Sequence, residues 1–412
     1  MKTKTKTKAK RSVRPSVRPS VVFDTADVVR RTDETELKLF SRMPFVPVRG
    51  EGCYLWDSRG EKFLDLYGGH AVALTGHSHP HVARAIAEQA RTLLFYSSAV
   101  LSVVRAEANE LLLRHAPQAG SRLFHCVSGT EANEAALKMA RKTTGRRKIV
   151  SFVGSFHGRT LASLSAGGMD KYLATAGPVT VPHHVHVPFG DVAALEQAVD
   201  GDTAAVICEA IQSLAGVYTA PPEFHRALAD IARKAGALVI YDEIQTGLGR
   251  VGSWFHADAM GVKPDIISLA KGIASGIPAA VIMVAPGVAE KVQMNDQGST
   301  FGGGPVAMAA MKATLEVIER ESLVQNAARV GEVLFRKLRA VKKVKAVRGA
   351  GLLVGIELEV PASRVQLALL ERHIVTGTSS APNVLRLLPP LSLSEQDIAT
   401  FIPVLEDVLG HA

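Results

Sequence analysis

The sequence has little cysteine and no long hydrophobic run, and each shortage excludes a class of protein. Its three cysteines, Cys53, Cys126 and Cys208, are an odd number and form no CxxC pair. Such spacing predicts neither a disulfide framework nor a zinc site, so we expect each thiol to be a small buried hydrophobe. No apolar run reaches the roughly 18 residues of a membrane-spanning helix, and no segment is typical of a signal peptide. We therefore predict a soluble, cytoplasmic protein without a metal site.

Acidic residues are missing from the start of the chain, where Asp24 is the first acid. Residues 1–20 hold eight lysines and arginines, which account for nearly all of the formal net charge of +9. A Lys/Thr/Ser/Pro segment has too little apolar surface to offset the entropy of ordering, so we expect a disordered basic tail there. A tail that binds an acidic partner is the alternative. Because the rest of the chain is close to neutral, no nucleic-acid partner is expected.

Short apolar runs alternate with helical patterns through the middle of the chain, which at 412 residues is long enough for two or three domains. Helix-like stretches such as Glu131–Thr143, Val192–Val199 and Pro222–Lys234 separate the apolar runs. Strands joined by helices predict an α/β fold with a mostly parallel sheet covered on both faces. The candidate strands are Arg122–Val127, Lys148–Val153, Ala204–Glu209, Ala237–Tyr241, Ile266–Leu269 and Ala279–Val284.

The pattern changes after Pro305, and we predict a smaller α+β domain from there to the C-terminus. Its segments are a helical stretch, a glycine-punctuated strand-like segment, a strand and a helix, near 306–341, 347–358, 384–388 and 394–409. Turn signals within residues 45–66 predict a strand-turn-strand unit. We thus expect four parts: the tail 1–20, a segment 21–75 that packs with the small domain, a large domain 76–305 and a small domain 306–412.

Polar residues follow several strands at the point where each ends, and open parallel sheets bind ligands at that edge. Ser128–Asn133 joins a strand to a helix, where hydroxyls and free backbone N–H groups suit an anion such as phosphate. Asp242 follows another strand, and Lys271 ends an apolar run as a lone lysine. Each also has an ordinary interpretation: a helix N-cap, a structural carboxylate or a lysine that points to solvent.

Two further segments offer groups for a ligand. Phe156–Arg159 follows a strand and supplies an aromatic ring, His157 and a guanidinium, and residues 297–303 form a glycine-rich loop with two hydroxyls. A packed aromatic beside a surface arginine, and a plain turn, are the alternatives. Together, however, the segments supply every part of a pyridoxal-phosphate (PLP) site: a phosphate cradle, a stacking ring, a partner for the pyridine nitrogen and an imine-forming lysine. Packing in the core could explain any one of these segments, but it explains less well why all of them occur in one chain.

Five ordered motifs resemble the class III, ornithine-type PLP-dependent aminotransferases of fold type I; they read SGTEAN, SFHGRT, YDEIQTGLGR, PDIISLAKG and GSTFGG. The resemblance covers about residues 45–405 and is strongest to the acetylornithine and acetyllysine aminotransferase branch. Fold type I implies a large, mostly parallel-sheet domain and a smaller α+β domain, in agreement with the alternation of strands and helices.

The resemblance implies cofactor roles for named residues. Lys271 would hold PLP as a Schiff base and, once released, move a proton as general base and acid. Asp242 would keep the pyridine nitrogen protonated, Gln245 would hydrogen-bond near the phenolic oxygen, and Phe156 would stack on the ring. The other implied cofactor contacts are Ser128, Gly129, Thr130, His157 and, from a second subunit, Thr300.

The resemblance also implies a homodimer with shared active sites and the use of 2-oxoglutarate and glutamate. Arg159 would bind a substrate carboxylate, and Ser299 would contact the substrate across the dimer interface. Glu209 would pair with Arg386 while an amine donor is bound and then release it for glutamate. The predicted donor is the terminal amine of an N-acetylated or free diamino acid, such as acetylornithine. The alternatives are ornithine, 4-aminobutyrate or another ω-amine, an aminomutase, or a PLP-binding regulator without turnover.

The chain departs from the branch's usual motifs in loops that line the pocket in that family. EPIQGEGG is replaced by EAIQSLAG, which introduces Ala210, Ser213 and Leu214, and FGGNP is replaced by a segment with Gly304. None of these changes removes a group that the family uses to contact PLP. They therefore bear on which amine is the substrate.

Overall fold

A computed structural model describes residues 24–411, and the predicted basic tail of residues 1–20 lies outside them. The described strands are β1 Pro47–Glu51, β2 Tyr54–Asp57, β3 Lys62–Asp65, β4 Arg122–Cys126, β5 Lys148–Phe152, β6 His184–Val187, β7 Thr203–Cys208, β8 Ile211–Gln212, β9 Tyr218–Thr219, β10 Leu238–Asp242, β11 Ile266–Leu269, β12 Ala280–Val284, β13 Val344–Ala350, β14 Leu353–Leu358, β15 Ile374–Val375, β16 Gly377–Thr378 and β17 Val384–Leu387.

The described α-helices connect and cover these strands, and two short 3-10 helices span Ala174–Ala176 and Lys271–Ala274. The α-helices are α1 Thr25–Thr35, α2 Gly68–Ala71, α3 Pro80–Thr92, α4 Val103–Leu113, α5 Gly129–Thr144, α6 Leu161–Ala166, α7 Asp170–Leu173, α8 Val192–Ala198, α9 Ser213–Gly216, α10 Pro222–Ala235, α11 His256–Met260, α12 Pro286–Ala289, α13 Pro305–Arg320, α14 Leu323–Arg339, α15 Ala362–Glu371 and α16 Glu395–Gly410. Between Thr25 and Gly410, no helix is long and apolar enough to cross a membrane.

The central sheet has seven strands in the order β4-β12-β11-β10-β7-β5-β6. The strands from β11 to β6 run parallel, and β12 is antiparallel to both of its neighbours. The predicted α/β class and mostly parallel sheet are confirmed, and every predicted strand is present. The strand β6 was missed, because its HVHV sequence alternates histidine with valine and lacks the continuous apolar run of a buried parallel strand.

Helices cover both faces of this sheet, as the alternation along its central strand shows. On β7, Ala205 and Ile207 pack in one core cluster with α5, whereas Val206 and Cys208 pack in another with α10. Successive side chains of a strand point to opposite faces, so the two clusters lie on the two sides of the sheet. The face of α5 toward the sheet is mostly alanine, which brings the start of this helix close to the strand ends.

The C-terminal part differs from the prediction in two places. The predicted helical stretch 306–341 is two helices, α13 and α14, because Ser322 adopts a left-handed conformation (φ 53°) that ends the helical path. The predicted segment 347–358 is a hairpin of β13 and β14. Its turn requires Gly351, where φ is +53° and a Cβ would lie 2.5 Å from the Val251 carbonyl carbon. The final predicted strand and helix are confirmed as β17 and α16.

The N-terminal segment shares a sheet with the C-terminal part. Residues 45–66 form three strands where two were predicted, and the sheet order is β1-β2-β3-β15. The last pair is parallel, with Ile374 opposite Leu64. This pairing places Tyr67, just after β3, beside the C-terminal strands. The division of the chain at residues 75 and 305 stays a prediction.

Candidate active site

A cavity of about 450 Å³ lies at the carboxyl-end edge of the central sheet. Its position agrees with the rule that open parallel sheets bind ligands beyond the carboxyl ends of their strands, and its volume is ordinary for a small-molecule site. Most of the residues that the sequence predicted for the site line this cavity. They are Ser128, Gly129, Thr130, Phe156, His157, Arg159, Glu209, Asp242, Gln245 and Lys271.

The register of three parallel strands brings the charged residues together. The last residue of β7 lies opposite Tyr241 of β10, and Asp242 lies opposite Ser268 of β11. Glu209 follows β7 directly, and Lys271 comes shortly after the end of β11. Parallel strands in register end at one edge, so these two carboxylates and one amine face a common cavity.

Lys271 is the amine of this site. It has φ +46° at the first position of a 3-10 turn, a conformation that directs the chain sharply away from the end of β11. Burial lowers the pKa of its amine to about 8, although the carboxylates of Asp242 and Glu209 act in the opposite direction. Its Nζ forms no ion pair or hydrogen bond within residues 24–411. A pKa near neutrality makes an amine nucleophilic, which is the property that imine chemistry requires.

Asp242 is the most firmly held carboxylate of the site. Its Oδ2 accepts a hydrogen bond of 2.8 Å from Asn133 Nδ2 and lies 2.8 Å from His157 Nδ1. Its Oδ1 accepts from the backbone N–H of Ile244 at 3.1 Å. Asn133 also donates to the carbonyl of His157, which ties the two partners together. Asn133 had no predicted role of its own, although this residue lies four positions after Gly129 and therefore on the same face of α5.

The segment predicted to bind an anion lies at the start of α5. Ser128 is the N-cap, and its Oγ accepts from the N–H of Glu131 at 3.3 Å. The N–H groups before Glu131 have no partner within the helix, so they are available to an anion. Gly129 allows the close approach that this requires, because a Cβ there would lie 2.8 Å from Ile244 Cδ1. Thr130 Oγ1 is bonded to Ser163 at 2.7 Å, which orders the loop beside the cradle.

Phe156 and Arg159 lie at the open side of the cavity with Tyr172, which the sequence analysis missed. The Phe156 ring meets the Tyr172 ring edge-on at 5.4 Å, and the Arg159 guanidinium lies 4.4 Å from the centre of the same ring. Tyr172 belongs to the short helix α7, and nothing in its sequence context marks it as part of a site. Within residues 24–411 Arg159 has no carboxylate partner, so these three side chains form a mouth with an unpaired cation, which suits an anionic substrate.

The predicted ion pair between Glu209 and Arg386 is absent from residues 24–411. Glu209 Oε1 accepts from the N–H of Phe156 at 2.7 Å, and burial raises its pKa to about 7. Arg386 is bonded instead to Thr378, Ser213 and Tyr67. The pairing was expected only while an amine donor is bound, and here neutral partners hold the arginine away from the carboxylate.

The remaining predicted residues lie outside the cavity. Ser299 and Thr300 do not line it, and Ser299 Oγ donates to Glu131 Oε1 at 2.7 Å. Arg386 is not part of the lining either, but it reaches the wall through Ser213, which donates to Gln245 at 2.9 Å. The assignment of all these residues to a cofactor or a substrate stays a prediction.

Comparison with known proteins agrees with this geometry. The family model described as "Aminotransferase class-III" matches residues 39–409. The chain belongs to the class-III aminotransferases.

Relatives of this aminotransferase cover nearly its whole length. It is 40% identical to the acetylornithine aminotransferase of Archaeoglobus fulgidus, over 92% of this chain and 99% of the relative. It is 39% identical to the [LysW]-aminoadipate semialdehyde transaminase of Deinococcus radiodurans, over 90% and 88%. Its structure matches that of the ornithine aminotransferase from Toxoplasma gondii with a TM-score of 0.89 and 28% identity, over 94% of this chain and 96% of the other.

Class-III aminotransferases depend on PLP, and the residues of this aminotransferase fit that cofactor. Asp242 offers a carboxylate to a protonated ring nitrogen, Lys271 offers the amine, and the start of α5 offers N–H groups to a phosphate. Two polar atoms beside Asp242, His157 Nε2 and Asn133 Oδ1, are buried and unpartnered among residues 24–411. Residues 24–411 contain no cluster of side chains that could hold a metal ion.

Proposed function

We propose that this enzyme transfers the terminal amine of an acetylornithine-like donor to 2-oxoglutarate. The observation that carries the proposal is the cavity in which the Lys271 amine faces the carboxylate of Asp242, with Arg159 at the mouth and Arg386 behind the wall. An amine flanked by two arginines suits substrates that bring carboxylates to a reacting amine or ketone carbon. Relatives named acetylornithine aminotransferase, at 36–41% identity, support the donor.

In this proposal Lys271 is the base and the acid of the reaction. When bound, PLP supplies the electron sink for the charge that develops at the amine-bearing carbon. Nζ of Lys271 would take the proton from that carbon and pass it to the cofactor, and would run the same transfer in reverse with 2-oxoglutarate. Its lowered pKa of about 8 favours both transfers near neutral pH. Asp242, held by Asn133 and His157, keeps the ring nitrogen protonated.

The proposed substrate contacts divide the donor and the acceptor between the arginines. Arg159 is exposed at the mouth, where it can receive the carboxylate at the far end of a long donor. Arg386 is buried and keeps one unused N–H on each terminal nitrogen, so it can grip the carboxylate of 2-oxoglutarate or glutamate. One cavity can therefore accept the donor and the acceptor in turn.

We also propose a homodimer in which Ser299 and Thr300 reach the partner's cavity. Large apolar side chains are exposed together on residues 93–103 and at Phe301, and Leu101 has an exposed fraction of 98%. Phe95 and Phe301 contact each other at 5.1 Å, so Phe301 joins this surface to the 297–303 loop. Contiguous exposed apolar surface is typical of an obligate interface. A Leu101→Glu variant should sediment as a monomer where the wild type sediments as a dimer.

A cytoplasmic location completes the proposal. The three cysteines are free and buried, which fits a reducing compartment.

A screen of amine donors with 2-oxoglutarate, following glutamate formation, tests the proposed reaction. Acetylornithine should give the highest kcat/KM among acetylornithine, acetyllysine, ornithine and 4-aminobutyrate. Glutamate formed best from ornithine or 4-aminobutyrate would reassign the donor. No glutamate from any of them, in protein that has bound PLP and is yellow, would overturn the proposed reaction.

A further inference from the structure

Arg386 is a buried cation whose hydrogen-bond partners among residues 24–411 are all neutral. Its Nε donates to the carbonyl of Thr378 at 2.7 Å, its Nη1 to Ser213 Oγ at 3.2 Å and its Nη2 to Tyr67 Oη at 2.9 Å. The side chain is 3% exposed. The Tyr67 ring is fixed against the backbone, because a Cβ at Gly377 would lie 1.9 Å from its Cε2. Three partners therefore set the position of the guanidinium before any ligand arrives.

Ser213 links this arginine to the cavity wall through two hydrogen bonds. A guanidinium can only donate, so the Ser213 oxygen must accept from Arg386. The single hydroxyl proton of Ser213 is then left for Gln245 Oε1, at 2.9 Å. Gln245 presents its oxygen to Ser213, which turns its NH2 group away from Ser213 and leaves it as a donor for a ligand in the cavity.

The link depends on a residue at which this chain departs from the family's usual motif. Ser213 stands at the start of α9, where the EPIQGEGG motif of similar enzymes has a glycine. A glycine there would have no hydroxyl to connect Arg386 with Gln245. Ser213 is completely buried, so its hydroxyl has no access to solvent and stays between these two partners.

We propose that Ser213 is a positioning residue that couples the binding of a substrate carboxylate at Arg386 to the hydrogen bond that Gln245 offers to the cofactor. A donor with a full charge polarises the hydroxyl that accepts from it, which strengthens the bond that this hydroxyl gives to Gln245. A carboxylate on Arg386 compensates the charge and weakens that polarisation. The inference rests on the proposed function, because that function supplies Arg386 with its carboxylate ligand.

The test is a titration of the PLP-loaded enzyme with glutarate, a dicarboxylate that has neither an amine nor a ketone to react. Binding is measured by the shift in melting temperature, and coupling by the change in the visible absorbance of the bound cofactor. The wild type should show both. Ser213→Ala should bind glutarate about threefold to tenfold more weakly and lose most of the absorbance change at saturation. Ser213→Thr keeps the hydroxyl and should restore both.

Tyr67→Phe is the matched control, because it removes another neutral partner of Arg386 without touching Gln245. It should weaken glutarate binding to a similar extent and keep the full absorbance change at saturation. If Ser213→Ala does not fold, Ser213→Gly removes the same hydroxyl and should behave in the same way.

An unchanged absorbance response in the folded Ser213→Ala or Ser213→Gly variant would overturn the coupling, while glutamate formation in the donor screen would leave the proposed function standing. A wild-type enzyme that glutarate does not stabilise would overturn the carboxylate role of Arg386, and the coupling with it. The two failures are therefore distinguishable.

Discussion

The two arginines near the cavity differ in how their positions are determined. Arg386 is buried on a strand, and three hydrogen bonds to neutral groups hold it. Arg159 is exposed on the loop after β5, and its guanidinium lies over the Tyr172 ring without a carboxylate partner in residues 24–411. Burying a cation costs free energy when the protein folds, whereas ordering an exposed side chain costs free energy when the ligand binds. We expect Arg386 to be preorganised and Arg159 to adapt to its substrate.

The largest effect is expected from removing the Lys271 amine, which the proposed reaction requires whichever arginine binds the substrate. Lys271→Ala should lower glutamate formation at least about a thousandfold, because no other amine of residues 24–411 lines the cavity. Turnover is measured with acetylornithine and 2-oxoglutarate. The variant should still gain thermal stability from glutarate, since Arg386 is unchanged. Activity above about a tenth of the wild type would contradict the role of Lys271.

A large effect is expected next at the buried arginine. Arg386→Lys keeps a charge but loses the fork that grips a carboxylate with two N–H groups, so kcat/KM for 2-oxoglutarate should fall about a hundredfold. Stopped-flow measurement of the two half-reactions should show less than a threefold change with the amine donor. Equal losses of rate in both half-reactions would show that Arg386 does not serve 2-oxoglutarate in particular.

A smaller effect is expected at the exposed arginine. Arg159→Ala should raise KM for the donor about tenfold, the value of one charged hydrogen bond that is partly screened by solvent. The melting temperature should stay within about a degree of the wild type, because exposed side chains contribute little to stability. The Arg386→Lys variant provides the comparison, since it should melt at a lower temperature. A comparable drop in the melting temperature of Arg159→Ala would show that Arg159 contributes to the stability of the fold.

The smallest effect concerns Glu209, the buried carboxylate that follows β7. Burial raises its pKa from 4.5 to about 7, so the fold favours the protonated form, and the stability from this group is lost as pH rises from about 4.5 to 7. Glu209→Gln stays neutral, so its free energy of unfolding should increase relative to that of the wild type as pH rises from 5 to 8. Urea unfolding of the PLP-free protein measures this difference. The exposed Glu196→Gln should show no such gain.

Much of the site could be predicted from local sequence. Asp242 is the last residue of β10, and Ser128 and Lys271 lie two residues after the ends of β4 and β11. Parallel strands bring such positions to one edge of the sheet whatever the loops do. The same reasoning missed Asn133, because its contact with Asp242 joins a helix to a strand far along the chain. Tyr67 was missed for the same reason, since it reaches Arg386 from the other end of the sequence.

The fold, like the site, was predictable where local sequence determines it and not where distant residues meet. The alternation of apolar runs and helical patterns was sufficient to predict six of the seven strands of the central sheet. The inner strands are buried on both faces and therefore have nearly continuous apolar sequences. The polar edge strand β6 and the break between α13 and α14 left no comparable pattern. A left-handed residue such as Ser322 is held by the packing of the two helices, which no local pattern records.

The identity of the reacting groups was therefore already present in the order of the residues: a lysine, an aspartate and an anion-binding helix start, each at the end of a strand. What each group is bonded to required the folded chain. Glu209 and Arg386 have opposite charges and were expected to pair, yet Ser213, Tyr67 and the carbonyl of Thr378 hold the arginine instead. Those partners lie far apart in sequence, and only tertiary packing decides which buried donor meets which acceptor.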